Sequence, residues 1–142
     1  MLNPNSAFAA AQSGWNVLAR GDPEAAIAEF ERAMRLSPTD PWRFYFCLGT
    51  ARAHFNAGRY NDAISWSERS LSARPGIFTT LRVRAASYAM AGRTEEARRA
   101  MADLLADWPD VRLSTIHSQA LWRRPDDYMR WFEGLRLAGH PE

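Results

Sequence analysis

Groups able to do covalent or acid–base chemistry are few in this chain and poorly spaced for it. The three histidines, His54, His117 and His140, lie far apart, and none has a second ligand-type residue one helical turn away. Cys47 is the only cysteine, set between Phe46 and Leu48 with no basic residue built against it in sequence, so it reads as a structural thiol. Glu95-Glu96 and Asp126-Asp127 look like carboxylate pairs. Neighbouring residues diverge around a helix, however, and acids at a helix start answer the positive end of its dipole. Each glycine stands alone, so no phosphate-cradling loop is present. The expectation is a non-enzymatic protein with no catalytic residue, no cofactor and no metal.

What remains is surface, and its meaning depends on the elements that carry it. Gly21, Ala26 and Pro38 recur as Gly58, Ala63 and Pro75 and again as Gly92, Ala97 and Pro109. Seven residues before each glycine sits a small residue, namely Gly14, Ala51 and Ala85. Each unit reads as two helices around its glycine, whose missing Cβ makes a left-handed turn inexpensive. Asn5 or Ser6 is placed to cap the first helix. Asp22-Pro23 suits the start of the second, which carries Ile27, Phe30, Ala33 and Met34 on one face. The first two glycines are 37 residues apart and the next two 34, and the surplus is assigned to Pro41-Trp42-Arg43, with Asp40-Pro41 opening an early helix. No stretch alternates with a strand's period of two, so the predicted fold class is all-α. The small residues fall where paired helices cross and allow close approach of their axes.

This pattern resembles the tetratricopeptide repeat, a 34-residue helix–turn–helix unit. The likeness runs over roughly residues 7 to 111, best in the first and third units. In the second, His54 stands where the family favours Tyr, and Ser67 and Ser70 replace apolar residues. The pentatricopeptide family, which binds RNA, fits less well with the helix-ending prolines and modest charge. The resemblance implies a right-handed α-solenoid of three hairpins plus C-terminal capping helices. Its parts would be a remnant of a preceding repeat at 1–6, repeats at 7–40, 41–77 and 78–111, and caps at 112–142. Leu2-Asn3-Pro4 echoes Leu36-Ser37-Pro38 at a 34-residue interval, which suggests a fragment of a longer protein.

In such a solenoid the first helices line a concave groove. Its expected residues include Phe8, Trp15, Tyr45, Arg52, Phe55 and Arg82, of types that dominate binding hot spots. Two readings stand for each: contact with a partner's peptide or helix, or packing within the chain. Chaperone-binding relatives share a carboxylate clamp of Lys, Arg and Asn. The corresponding places here are Phe8, Gln12, Gly49, Thr79 and Val83, which disfavours chaperone C-terminal tails. The last segment, with Tyr128, Trp131, Phe132 and Leu135 on one face and Asp127, Arg130, Glu133 and Arg136 opposite, reads as the terminal cap, with a detachable partner helix as the alternative. A short helix is expected from Leu113 to Leu121.

Composition sets outer limits. The 142 residues are 46% hydrophobic and 24% charged, as in an ordered chain. All 18 basic residues are arginine and face 16 acids, so a net charge of +2 argues against a nucleic-acid partner. No apolar run reaches membrane-spanning length. One cysteine excludes an internal disulfide and favours a reducing, cytoplasmic setting. Four segments, Asn3 to Ala7, Ala33 to Pro38, Ala53-His54-Phe55 and Gly134 to Gly139, further resemble the C-terminal repeat region of bacterial class III adenylate/guanylate cyclases and some winged-helix regulators. That likeness implies a signalling parent rather than an activity, because the repeats leave no room for a cyclase sheet. The expected role is protein–protein interaction, with oligomerisation or positioning of a parent domain as the alternative. A homodimer through Phe8 and Trp15 is one form of the latter.

Overall fold

The computed structural model describes residues 4–113 and 125–142, with side chains from residue 6 onward. Among the described residues seven helices follow one another: α1 (Pro4–Ala19), α2 (Pro23–Leu36), α3 (Arg43–Asn56), α4 (Tyr60–Ala73), α5 (Phe78–Met90), α6 (Thr94–Asp107) and α7 (Pro125–Leu137). Among the described residues there is no strand. The expected Leu113–Leu121 helix, His117 with it, lies outside the described residues apart from Leu113. Helices α1 to α6 pair as α1·α2, α3·α4 and α5·α6, and each pair packs on the next through α2·α3 and α4·α5.

Local chemistry explains the boundaries. Gly21, Gly58 and Gly92 all take positive φ, between 78° and 98°, and turn the chain between the two helices of each pair. Asp22 caps α2, its side chain accepting from the Ala25 N–H at 3.1 Å. Two starts differ from the sequence reading. Helix α1 begins at Pro4, so Asn5 and Ser6 lie within its first turn. Helix α3 begins at Arg43 because the Asp40 carboxylate accepts the Trp42 N–H at 2.8 Å, closing a local turn before the helix can form.

Close approach of helices organises the interior. Phe30 of α2 is fully buried, and its ring lies against both Gly14 of α1 and Gly49 of α3. A Cβ at Gly14 would stand 3.0 Å from that ring, and one at Gly49 would overlap it. One large side chain thus fills the space that two glycines vacate, locking the first pair onto the second. The next interface redistributes the volume. Ser67, 37 residues after Phe30, is small, while α5 carries buried Val83 at the place, 34 residues on, that corresponds to Gly49. The serines that make the second unit look weak in sequence have partners here. Ser67 Oγ donates to the Ile64 carbonyl at 2.8 Å. Ser70 Oγ donates to the Phe44 carbonyl at 2.7 Å and lies 3.2 Å from Thr80 Oγ1, joining α3, α4 and α5.

Gly49→Ala should therefore force Phe30 or α3 to shift and cost about 1–3 kcal/mol. A thermal melt of the variant matching the unmodified protein would contradict the role given to this contact.

Candidate functional site

The first helices of the three pairs, α1, α3 and α5, present one continuous face, and the sequence-predicted groove residues stand on it. The structure divides that face into two halves of different character.

At the α1–α3 end the side chains are aromatic and accessible. Phe8 is 40% and Trp42 48% exposed, while Trp15 and Tyr45 are half-buried. Phe8 stacks on Tyr45 with ring centres 6.1 Å apart and meets Trp42 edge-on at 5.8 Å. Trp15 adjoins Tyr45 at 5.6 Å and Phe30 at 5.6 Å, and so ties the patch to the core. The Tyr45 hydroxyl donates to Gln12 Oε1 at 2.8 Å. Trp42 was absent from the expected groove. It comes from the surplus residues between the first two repeats, and that irregular spacing was the available signal.

At the α3–α5 end the groove is filled by the chain itself. Helix α7 lies across α5 and α3, so the predicted groove residues Arg52, Phe55 and Arg82 are buried rather than free. Trp131 meets Phe55 edge-on with ring centres 5.5 Å apart, and the Arg52 guanidinium carbon sits 3.9 Å from a Trp131 ring centre, a cation–π contact. Arg130 donates to the Asn56 carbonyl at 2.7 Å and pairs with Asp127 at 3.0 Å. Leu135 joins Leu48, Phe55, Val83 and Ala86 in one buried cluster. At Gly134 the helix comes so near α5 that a Cβ would lie 3.0 Å from that of Ala86. Arg82 Nε donates to His140 Nε2 at 3.1 Å, while its guanidinium carbon covers the Phe78 ring at 3.9 Å.

The buried face of α7 keeps Trp131 and Leu135 from the stripe read in sequence but is shifted toward Asp127 and Gly134. Asp127, Trp131, Gly134 and Leu135 are buried, whereas Tyr128 and Phe132 are half-buried and adjoin each other, tilted, with ring centres 4.8 Å apart. Asp127, assigned to the solvated side as a helix-start acid, is only 2% exposed. It was missed because a carboxylate one residue out of phase with an apolar stripe looks like ordinary amphipathicity.

Burial governs the electrostatics. It lowers the Arg52 pKa to about 9, with the Asp127 carboxylate opposing the shift, and lowers Arg82 to about 10. Both guanidiniums therefore remain charged at neutral pH. His140 is pushed down by burial, partly offset by its bond to the Pro141 carbonyl and reinforced by Arg82. It is thus a neutral ring at neutral pH, able to accept from Arg82. His54 is a half-buried helix residue whose Nδ1 accepts from Arg59 Nε at 3.0 Å. Cys47 is buried, and burial raises its pKa against the pull of Arg43, one turn earlier on the same helix, and of Arg69, which the fold brings near from α4. Glu96 is taken by Arg93 in a two-pronged pair at 2.8 Å, and Glu95 by Arg98 at 2.9 Å. Among the described residues no group of three His, Cys, Asp or Glu side chains could hold a metal, and no helix is long and apolar enough to cross a membrane.

Comparison with known proteins agrees with this architecture. Residues 17–77 match the tetratricopeptide repeat family model. The first TPR domain of the human RPAP3 protein, solved by NMR, superposes with a TM-score of 0.71 at 17% identity, over 96% of this chain and 97% of that one. The first TPR of Spaghetti (RPAP3), bound to the HSP90 peptide SRMEEVD, gives 0.70 at 15% identity over 95% and 94%. A tetratricopeptide repeat protein from Parabacteroides merdae gives 0.68 at 22% identity over 94% of this chain and 52% of that one. The fold is an all-α helical-repeat solenoid of the tetratricopeptide type.

The neutral His140 makes a pH dependence. Its folded pKa lies below the usual 6.5, so its contribution to stability is complete above that value and is lost as pH falls through the folded value. His54, also depressed, acts in the same sense. The melting temperature should fall between about pH 7.5 and about pH 5. In His140→Gln, whose amide oxygen still accepts from Arg82, it should fall less. Identical pH profiles for the two proteins would refute the neutral-acceptor assignment.

Proposed function

We propose that this chain is a non-enzymatic interaction module that holds a peptide or helix of a protein partner on its concave face. The observation that carries the reading is the accessible aromatic patch of Phe8, Trp42, Tyr45 and Trp15 at the α1–α3 end. Large rings held by one another lose little side-chain freedom on binding and offer wide apolar area, with the Tyr45 and Gln12 polar groups beside them for a ligand backbone. The fold supports the same reading, since tetratricopeptide domains mediate protein–protein interaction and one structural neighbour carries a peptide.

That neighbour's acidic HSP90 peptide is a poor guide to the ligand here. Phe8, Gln12, Gly49, Thr79 and Val83 stand at the places the sequence comparison assigns to the carboxylate clamp, and none is cationic. The chemistry favours an apolar or aromatic peptide in place of an acidic tail. A cytoplasmic setting in a bacterial signalling protein, beside a nucleotide cyclase or a winged-helix domain, is consistent with the single free thiol and with the sequence likenesses at Ala33 to Pro38 and Gly134 to Gly139.

The second reading is assembly: the same exposed rings pair two copies, or the repeats position a parent domain. Phe8 and Trp42 are the residues that favour it.

The double variant Phe8→Ala/Trp42→Ala should keep the parent's melting temperature to within a few degrees. Peptides selected from a random display library on the unmodified protein should bind it at least ~10-fold more weakly, the range of hot-spot loss. Equal affinity for both proteins would remove the patch as the binding surface. Light scattering separates the alternative: a concentration-dependent dimer abolished by the variant would assign the patch to assembly.

A further inference from the structure

The α3–α5 half of the groove is occupied by the chain's own C-terminal helix, and the manner of its seating has a consequence for the partner. Helix α7 does not add a layer to α6. Among the described residues it lies across α5 and α3, on the face that the three first helices share. What it buries there is unusually polar for a structural cap. Two arginines, Arg52 and Arg82, form the floor at 4% and 7% exposure, answered by Asp127, the Trp131 ring and His140. A buried ionic seat gains little stability over an apolar one of equal shape but discriminates strongly between occupants. The seat is also imperfectly satisfied by α7. Asn56 Nδ2, on the helix whose end Arg130 of α7 contacts, is a buried donor with no acceptor. Each unmade hydrogen bond weighs against the occupied state. The outer face of α7, by contrast, leaves Met129 and Leu137 64% and 57% exposed.

We propose that α7 is a built-in occupant of the groove. The partner that displaces it is an amphipathic helix carrying a carboxylate, an aromatic ring four residues later, a small residue three beyond that and an aliphatic residue next to it. This is the spacing of Asp127, Trp131, Gly134 and Leu135. The proposal rests on the groove-binding reading above and deepens it. The ring covers the guanidinium of buried Arg52 and packs on Phe55, the carboxylate pairs with Arg130 and its charge favours the Arg52 cation, the small residue permits close approach to Ala86, and the aliphatic residue enters the Leu48–Val83 cluster. A helix that also offers an acceptor to Asn56 binds better than α7 does. Occupation in cis lowers the apparent affinity for such a partner by the fraction of molecules whose groove is vacant.

The test uses the full chain and a fluorescein-labelled synthetic peptide with the sequence of residues 125–137, followed by anisotropy. Gly134→Leu in the protein should drive a side chain into Ala86 and loosen α7 without altering the groove floor. This variant should bind the peptide at least ~10-fold more tightly than the unmodified chain does. A peptide carrying Asp127→Asn and Trp131→Ala should lose at least ~10-fold in affinity for it. In native-state hydrogen exchange of the unmodified chain, α7 amides should exchange at least ~10-fold faster than those of α3. Equal peptide binding by variant and parent overturns the proposal, as does α7 protection equal to that of α3. Unfolding of Gly134→Leu also overturns it, because a helix required for folding is not one a partner displaces. A concentration-dependent dimer of the unmodified chain without peptide binding assigns the seat to a second copy and overturns it as well. Library peptides that bind through Phe8 and Trp42 while the residue 125–137 peptide binds neither protein would end this proposal and leave the groove reading intact.

Discussion

The groove exists because Phe30 can enter between α1 and α3. With Gly14 on one side and Gly49 on the other, neither backbone carries a Cβ that would hold the ring out, and the first two helical pairs come together at a fixed angle. Dispersion contacts around one large buried ring are individually small, but together they set how α1 and α3 stand side by side. That arrangement places Trp15 against both Phe30 and Tyr45, so the core ring and the surface aromatics form one connected series. The shape of this face follows from the interior.

Further along, the same packing problem has a different solution. Ser67 removes the bulk that Phe30 supplies, and Val83 restores it from the neighbouring helix. Ser70 and Thr80 then link helices through hydroxyls rather than through apolar volume. Substitutions that look like decay of the repeat pattern are therefore redistributions, since close packing constrains the total volume of an interface more tightly than the identity of any one residue.

The two halves of the concave face divide labour by polarity. At one end, rings support one another and remain accessible. At the other, two guanidiniums lie beneath Trp131 and His140, where burial lowers their pKa but leaves them charged. A cation under an aromatic face retains part of the stabilisation that water would have given it. The Asp127 carboxylate, itself paired with Arg130, supplies more. The C-terminal helix covers one half of this face and leaves the other accessible.

The sequence alone carried the order of helices, the turns at Gly21, Gly58 and Gly92 and the all-α class. These depend on neighbours three to seven residues away, and local backbone preferences are written at that range. It also carried the residue types of the groove. It did not carry their burial. Arg82 meets His140 58 positions later, and Asn56 meets Arg130 74 positions later. Such contacts have no period and leave no local mark. The same blindness moved Asp127 from the solvated side of α7 to its buried side, and it hid Trp42, whose place beside Phe8 depends on where a three-residue surplus directs the chain. Only the tertiary structure decided which arginines and rings stay accessible and which are covered by the chain's own end, because that depends on how distant segments pack on one surface.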